Sequence, residues 1–211
     1  HRQGLLLGRM EDVGFELKQE ASLNVLTNDI VKSSAIEGER LDPKEVRSSI
    51  ARRLGIDVAG LISASRYVDG IVEMMLDATQ HYANHLTKDR LFGWHATLFP
   101  TGRSGMHKIT AGAWRTMASE PMQVVSGPLG HEKVHFEAPL ASRLDKEMKT
   151  FLKWFGSAGN IDPVLRAGLA HFWFVTIHPF EDGNGRIARA IADMALAAAD
   201  GTSNRFYSLS T

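Results

Sequence analysis

The spacing of apolar residues predicts that most of the chain is helical. Near the N-terminus, Leu23, Leu26, Ile30 and Val31 fall on one face of a helix that runs towards residues 33–38. The last predicted helix is rich in alanine, the residue with the highest helix propensity, and covers about residues 184–199. The same pattern predicts further helices at about 61–82, at 88–99, after Pro139, and from 163 through Trp173.

Capping residues mark where several of these helices begin. Asp42, Pro43 and Glu45 supply an N-cap, an N1 proline and an N3 glutamate, and they open a helix that Gly55 can close. Thr87 is placed to cap the helix at 88–99. Asp162 and Pro163 open another helix in the same way.

One segment interrupts the helical pattern. Met122–Ser126 and Lys133–Glu137 are short β-prone runs, and the Gly127–Gly130 turn between them predicts a hairpin. A glycine-rich loop over 102–114 precedes it. With no internal repeat or interdomain linker, residues 1–211 are predicted to form a single all-α domain with an inserted β-hairpin.

Composition narrows the classes of partner. The 24 lysines and arginines equal the 24 aspartates and glutamates, so nucleic acid or anionic membrane is not expected to attract the whole chain. No apolar stretch approaches the roughly 20 residues that span a bilayer, and no secretory signal is visible. Because there is no cysteine, a reducing cytoplasm is the simplest location.

Residues 178–189, with the sequence HPFEDGNGRIAR, concentrate groups that bind phosphate. Pro179 and two glycines end the preceding helix, and the alanine-rich helix starts directly afterwards. Free amides at such a helix start form an anion site, and Gly183 and Gly185 let a ligand approach the backbone. Arg186 and Arg189 lie three apart on one helix face, so the segment favours a polyphosphate.

Two further side chains in this segment suit phosphoryl chemistry. Asp182 offers Mg²⁺ a hard carboxylate oxygen, while phosphate oxygens can supply other ligands. His178 has an ordinary pKa near 6.5, which suits proton removal from an attacking hydroxyl near neutral pH. The segment therefore combines a base, a metal ligand, an anion site and two cations.

This segment matches, at every defined position, the Fic family pattern His-x-Phe-x-Asp/Glu-Gly-Asn-Gly-Arg-x-x-Arg, so the chain resembles a Fic protein. The resemblance implies a helical fold with a β-hairpin flap. It also implies transfer of AMP from ATP, with Mg²⁺, to a Ser, Thr or Tyr hydroxyl of a target protein or of the chain itself. The implied roles are base for His178, Mg²⁺ ligand for Asp182, loop anchor for Phe180, phosphate binding for Gly183, Asn184 and Gly185, and β- and γ-phosphate binding for Arg186 and Arg189.

The hairpin at 122–137 occupies the place of the family's flap. Its first strand, with Val124, Val125, Ser126 and Gly127, resembles the strand on the nucleotide side. The second strand has open backbone groups, and a target segment is expected to add to it as a strand. The residues of that docking strand are Lys133, Val134, His135, Phe136 and Glu137.

An upstream motif resembles the family's inhibitory helix, expected near residues 22–38. Ser33, Glu37 and Gly38 match its pattern Ser/Thr-x-x-x-Glu-Gly/Asn. In that arrangement Glu37 pairs with Arg189 and keeps the γ-phosphate from its productive position, because carboxylate and phosphate compete for one guanidinium. The resemblance therefore implies autoinhibition in cis.

Several alternatives stay open. Some family members remove AMP instead of adding it. Transfer of UMP or phosphocholine would use the same phosphate site. A domain that only binds nucleotide is a further alternative, but it would give the intact His178 no role. His131 and His135 spell the zinc-protease pattern His-Glu-x-x-His, but that pattern needs a helix and Gly130 and Pro139 flank it closely. The target protein and the oligomeric state are undetermined, with a homodimer as one alternative.

The resemblance also implies further helices, which carry adenine contacts, beyond Thr211. We therefore expect a chain that is shortened at its C-terminus, and the selection of the base is poorly determined by this sequence.

Overall fold

The computed structural model describes residues 14–128, 130–157 and 159–203. Within these ranges the chain forms seven α-helices and two two-stranded antiparallel sheets, so the expected helical fold with an inserted hairpin is confirmed. In chain order the elements are α1 (Phe15–Ile36), α2 (Pro43–Leu54), α3 (Arg66–Gln80), α4 (Lys88–Leu98), β1 (Arg103–Ser104), β2 (His107–Lys108), β3 (Gln123–Ser126), β4 (Lys133–Glu137), α5 (Leu144–Phe155), α6 (Pro163–Ile177) and α7 (Asn184–Asp200), with a short 3₁₀ helix at Ala141–Arg143.

The alanine-rich helix α7 lies at the centre of the fold. It packs most extensively against α6 and also contacts α1, α3 and α4. Most of its residues are buried, and its small alanines let neighbouring helices approach closely. Burial of its larger apolar side chains, including Ile187 and Ile191, contributes roughly 1.5–3 kcal/mol each. The position of α7 in the core fixes the N-terminus of this helix relative to its neighbours.

Helix α2 begins and ends as the sequence predicts. The Asp42 carboxylate accepts a hydrogen bond from the Lys44 amide at 2.8 Å, and Gly55 closes the helix in the left-handed conformation. The N3 residue behaves differently from the capping-box expectation. The Glu45 carboxylate accepts from the Ser65 amide at 3.0 Å and thereby connects α2 to the start of α3.

Helix α3 starts later than the apolar spacing suggests. Ser65 is its N-cap and accepts a hydrogen bond from the Val68 amide at 3.3 Å. Residues 57–65 are not helical, and Gly60 within them has a positive φ of 75°. The prediction of a helix from about residue 61 was therefore wrong at its N-terminal end, because the Ser65 cap sets the start of the helix at Arg66.

Strands β3 and β4 form the expected hairpin. Val124 pairs with Phe136 and Val125 pairs with Val134, so His135 forms a bulge. Every residue of both strands is exposed. Within the described part of the chain each strand pairs only with the other, which leaves the outer edge of β4 open. The small β1–β2 sheet lies in the glycine-rich loop and was not predicted.

The zinc-protease alternative is wrong on structural grounds. His135 lies in the extended strand β4 and His131 lies in the turn before it, so the two side chains cannot share a helix face. The described residues contain no group of three His, Cys, Asp or Glu side chains that could hold a metal. None of the described helices is long and apolar enough to cross a bilayer.

Candidate active site

Helix α6 ends in a sharp turn at His178. The His178 amide donates to the Phe174 carbonyl at 3.1 Å and completes the last helical turn. The residue itself is left-handed, with φ 50° and ψ 58°, and is the one non-glycine residue with positive φ in the described ranges. A left-handed conformation costs a residue with a Cβ about 1–2 kcal/mol. Surrounding contacts must therefore hold the turn.

The loop over 178–183 is fixed from inside by Asn184 and Phe180. The Asn184 amide group accepts from the Phe180 N–H at 3.0 Å and donates to the Phe180 carbonyl at 2.9 Å. The Phe180 ring is fully buried and stacks on the His95 ring at 4.1 Å between centroids. Because the Asn184 side chain is committed to the loop, it can offer a phosphate only its backbone N–H.

His95 holds the loop from the side of α4. Its Nδ1 accepts from the Gly112 amide at 2.9 Å, so the proton lies on Nε2, which donates to the Asp182 carbonyl at 3.2 Å. Burial lowers the pKa of His95 to about 4 and keeps the ring neutral. This role was not predictable from the sequence, because His95 and Asp182 are 87 positions apart.

Arg115 also holds the loop and was not identified from the sequence. Its backbone N–H donates to the Pro179 carbonyl at 2.9 Å, and its side-chain Nε donates to the His178 carbonyl at 2.8 Å. Glu181 adds two further contacts, since it accepts from the Thr110 amide at 2.8 Å and from the Ser119 hydroxyl at 2.6 Å. The end of the glycine-rich loop and the segment after it, from Thr110 to Ser119, thus contact residues 178–181.

The Asp182 carboxylate faces the start of α7. It accepts from the Ser104 hydroxyl of β1 and from the Gly183 amide at 2.6 Å, and the Arg186 guanidinium lies 3.8 Å away. The side chain is 38% exposed. A single open carboxylate fits Mg²⁺, which commonly uses one or two carboxylates and takes its other ligands from phosphates and water.

The N-terminus of α7 is open beside this carboxylate. The first helical hydrogen bond runs from the Ile187 amide to the Gly183 carbonyl at 3.0 Å, so the amides at 184–186 have no acceptor within the helix. Gly183 has a φ of 77°, and a Cβ there would lie 2.9 Å from the Phe99 ring. Both the conformation and the space therefore require glycine.

The two arginines of α7 have different surroundings. Arg186 is buried, donates to the Tyr67 hydroxyl at 2.5 Å and lies 5.1 Å from the Phe99 ring centroid. It lines a cavity of about 280 Å³. Arg189 reaches the opposite way, to the end of α1. The two guanidinium groups thus flank the open helix start from different sides.

Glu37 lies against Arg189 and directly over the first turn of α7. Its Oε1 accepts from Arg189 Nη2 at 2.8 Å, and a Cβ at Gly185 would overlap this oxygen. Ser33 holds the same guanidinium, because its hydroxyl accepts from Nε at 2.6 Å and its carbonyl accepts from Nη2 at 3.0 Å. Gly38, with a φ of 80°, follows the end of α1. A carboxylate thus occupies space at an anion-binding helix start.

His178 itself borders a second cavity, of about 420 Å³. Its Nδ1 is buried, so Nε2 is the ring nitrogen available to a ligand. Burial lowers the pKa of His178, and the Arg115 charge acts in the same direction, while the Val175 carbonyl and the Asp182 and Glu37 charges oppose them. The ring is therefore neutral at neutral pH and able to accept a proton. Other lining residues are Lys108, Ile109, Arg115, Ser119, Glu120, Met122, Phe180 and Glu181.

The flap approaches the site through its base. Met122, just before β3, lines the cavity at His178, whereas this lining includes no residue of β3 or β4. Val124, Val125 and Ser126 are exposed, and the Ser126 hydroxyl is paired with His135 Nε2 at 2.6 Å. Gly127 has a φ of 110° and lies so close to the His131 carbonyl that a Cβ would clash. The structure thus forms the flap, and among the described residues no hydrogen bond or ion pair joins its strands to residues 182–189.

Comparison with known sequences places two matches along the chain. Residues 85–196, more than half of the chain, match the Fic/DOC family, and residues 1–56 match a Domain of unknown function (DUF4172). The second match was not foreseen from the sequence. It covers α1 and α2, including Glu37.

Individual relatives agree with the family match. The chain is 25% identical over 181 residues to Protein adenylyltransferase Fic of Nematostella vectensis, which covers 81% of this chain and 37% of the relative. It is 40% identical over 53 residues to Protein adenylyltransferase fic-1 of Caenorhabditis elegans, covering 24% of this chain and 10% of the relative. The chain therefore spans well under half the length of these curated relatives.

A solved structure gives the same result for the fold. The Fic domain containing signaling protein from Bacteroides thetaiotaomicron superposes with a TM-score of 0.65 at 21% identity, over 91% of this chain and 70% of that protein. At this identity the likeness concerns the fold alone. The match over residues 85–196, more than half of the chain, shows that the chain belongs to the Fic/DOC family.

Proposed function

We propose that this chain transfers AMP from ATP to a Ser, Thr or Tyr hydroxyl of a protein. The observation that carries the proposal is the open N-terminus of α7, which Arg186 and Arg189 flank and which follows directly on the turn that carries His178. The curated relatives that are named protein adenylyltransferases support the same activity.

The phosphates of ATP would bind at the helix start. Backbone amides at 184–186 supply donors that have no helical acceptor, and the positive end of the helix dipole favours anions. Gly185 has no side chain that would block this approach. Arg186 and Arg189 add two cations that suit the β- and γ-phosphates.

Asp182 would hold the Mg²⁺ ion that accompanies ATP. Its partly exposed carboxylate lies beside the free amides, and the Ser104 hydroxyl and the Gly183 amide fix its orientation. Bound there, Mg²⁺ would neutralise charge on the phosphates and orient them.

The reaction itself would take place at the α-phosphorus. The oxygen of the target hydroxyl attacks this phosphorus, the bond between the α-phosphorus and the bridging oxygen breaks, and pyrophosphate leaves with the bonding electrons. The hydroxyl proton passes to Nε2 of His178. The lowered pKa of His178 keeps this nitrogen free to accept it near neutral pH.

Glu37 would act as an inhibitory residue in the resting protein. Its carboxylate lies over Gly185 and bonds Arg189, so it occupies volume that a terminal phosphate needs. ATP would still bind, but with its γ-phosphate displaced and its α-phosphate poorly aligned for attack. We also infer that the target docks as an added strand on the open edge of β4, which would place its hydroxyl beside His178.

The first experiment tests His178 in a Glu37→Gly background. With ATP labelled at the α-phosphate, His178→Ala should reduce protein labelling ~10²–10⁴-fold, the typical contribution of a general base. Binding of ATP, measured by calorimetry, should change little because the phosphates contact other groups. His85→Ala, at an exposed histidine between α3 and α4, is the matched control and should retain full transfer.

Label from γ-labelled ATP should not appear in protein, because pyrophosphate leaves. Near-normal transfer by the His178→Ala protein would contradict the assignment of the base. Transfer of the γ-label would contradict the proposed reaction altogether.

A further inference from the structure

The left-handed turn at His178 has to be held by contacts outside the loop. A residue with a Cβ at φ 50° is disfavoured by about 1–2 kcal/mol, and such positions persist where surrounding contacts fix them. The carbonyl of this same residue points to Arg115, whose Nε donates to it at 2.8 Å. The backbone N–H of Arg115 donates to the next carbonyl, Pro179, at 2.9 Å.

The same guanidinium reaches the base of the flap. Arg115 Nη2 donates to the carbonyl of Pro139, two residues after β4 ends. The next residue back, Ala138, donates its amide to the Met122 carbonyl at 2.8 Å, just before β3 begins. One side chain therefore joins the turn that carries His178 to the base of the flap, where β3 starts and β4 ends.

The surroundings of Arg115 are unfavourable for stability. The residue is 4% exposed, and its third nitrogen, Nη1, is buried without a hydrogen-bond partner. Burial also lowers the pKa of Arg115. A buried cation with an unpaired donor destabilises a fold. Stability therefore does not account for this guanidinium, and its contribution is to fix the relative positions of the segments that it bonds.

We propose that Arg115 is a positioning residue that holds His178 in its left-handed conformation and couples it to the base of the flap. The proposal rests on the proposed function, in which His178 accepts the proton and the flap carries the target. Through Arg115, the proton acceptor and the target-bearing hairpin keep a fixed relative position. Every hydrogen bond that Arg115 donates goes to a backbone carbonyl of the chain itself, so its proposed effect is on alignment.

Arg166 provides a matched control. It too is an arginine whose guanidinium bonds several backbone carbonyls: Nη2 donates to the carbonyl of Phe155, the last residue of α5, at 2.9 Å and to that of Ser157 at 2.6 Å. These contacts are remote from residues 178–189. A general loss of stability should therefore result from changing either arginine, whereas loss of alignment at His178 should result only from changing Arg115.

The first measurement is residue-resolved amide hydrogen exchange on the full chain, with no substrate. Arg115→Met should raise exchange about tenfold or more at the His178, Phe180 and Ala138 amides, because the bonds that hold both segments are lost together. Arg166→Met should leave these three amides unchanged. Unchanged exchange at His178 and Phe180 in the Arg115→Met protein would overturn the proposal.

The second measurement is kinetic, in the Glu37→Gly background. Arg115→Met should lower kcat about 10- to 100-fold, the effect of misplacing a reacting group by about 1 Å, with little change in the KM for ATP. A rise in KM for ATP with unchanged kcat would contradict a positioning role. If the Arg115→Met protein does not fold, Arg115→Lys decides: its single nitrogen cannot occupy the positions of both Nε and Nη2, which bond carbonyls in two separate segments, so kcat should still fall. An unchanged kcat in the Arg115→Lys protein would contradict the positioning role.

The two measurements separate this proposal from the proposed function. If the Glu37→Gly protein with Arg115 intact transfers no AMP, the proposed function fails, and the exchange experiment still decides whether Arg115 holds the two segments. If transfer occurs and exchange at His178 and Phe180 is unaffected by Arg115→Met, only the positioning role fails.

Discussion

Replacing Glu37 by glycine should relieve the inhibition that we propose for this residue, and the structure allows the size of the effect to be worked out. Arg189 makes three hydrogen bonds to this region, two to Ser33 and one to Glu37. The substitution removes only the Glu37 bond, so Ser33 still orients the guanidinium towards the helix start. The volume above Gly185 becomes free for a phosphate oxygen.

The magnitude follows from the exposure of the pair. A hydrogen bond between charged groups contributes about 1.5–3 kcal/mol net. The Arg189 side chain is 12% exposed and the Glu37 side chain 32% exposed, so solvent screening favours the lower half of that range. Because each ~1.4 kcal/mol is a factor of ten, removal of the carboxylate should favour the productive position of the γ-phosphate by about 10- to 40-fold. AMP transfer should rise by a similar factor.

The fold should tolerate the substitution. Glu37 follows the last helical residue of α1, with φ −87° and ψ 8°, and its side chain caps nothing in the helix. Glycine near a helix end costs about 1 kcal/mol or less. Thermal unfolding of the Glu37→Gly protein should therefore stay close to that of the parent, which ensures that a change in activity reports on the site.

The assay is incorporation of α-labelled AMP into the chain and into added protein, at saturating ATP and Mg²⁺. Glu37→Asp should be released only in part, because its shorter side chain can still approach Arg189 through water. Arg189→Ala is the control: it removes the partner of Glu37 together with a phosphate-binding group, so it should not be active. A Glu37→Gly protein no faster than the parent would refute inhibition by Glu37. If the Glu37→Gly protein instead lost the ability to remove AMP from modified target, the hydrolytic alternative would be favoured.

Two further results are expected. Proline at Val134 or Phe136 removes a backbone donor from β4 and should reduce target modification about fivefold or more, because about one hydrogen bond to the target is lost. ATP binding should not fall to the same extent, and an equal loss of both would indicate a collapsed fold. Val134→Ala, which keeps the backbone donor, is the control. Between pH 6.5 and 4 the unfolded chain protonates His95 while the folded chain does not, so stability should fall on acidification by about 3 kcal/mol from this residue. His95→Gln should remove that part of the pH dependence in denaturant titrations, and identical pH profiles for both proteins would disprove the assignment.

The parts of the site that lie close together in sequence could be predicted from it. The turn, the glycines and the start of α7 all follow from the residues at 178–189, and the helix caps at Asp42 and Thr87 are equally local. The fold class follows from helical spacing interrupted by a single hairpin.

The residues that hold the loop in place were not predictable in this way. His95 contacts Asp182 across 87 positions, Arg115 contacts His178 across 63, and Tyr67 contacts Arg186 across 119. None of these three belongs to a local pattern, since an isolated histidine, arginine or tyrosine fits many environments. The Glu45 contact with Ser65 was missed for the same reason, because a capping motif describes only its own turn.

Several of the contacts that hold the loop over 178–183 are made to its backbone. His95 bonds the carbonyl of residue 182, Arg115 bonds those of 178 and 179, and Asn184 bonds both backbone groups of 180. Contacts of this kind do not depend on which side chain the loop residue carries. The shape of the loop and its chemistry can therefore be changed independently: substitutions at His178 or Asp182 alter reactivity with the backbone in place, and a related chain could carry different side chains on the same frame.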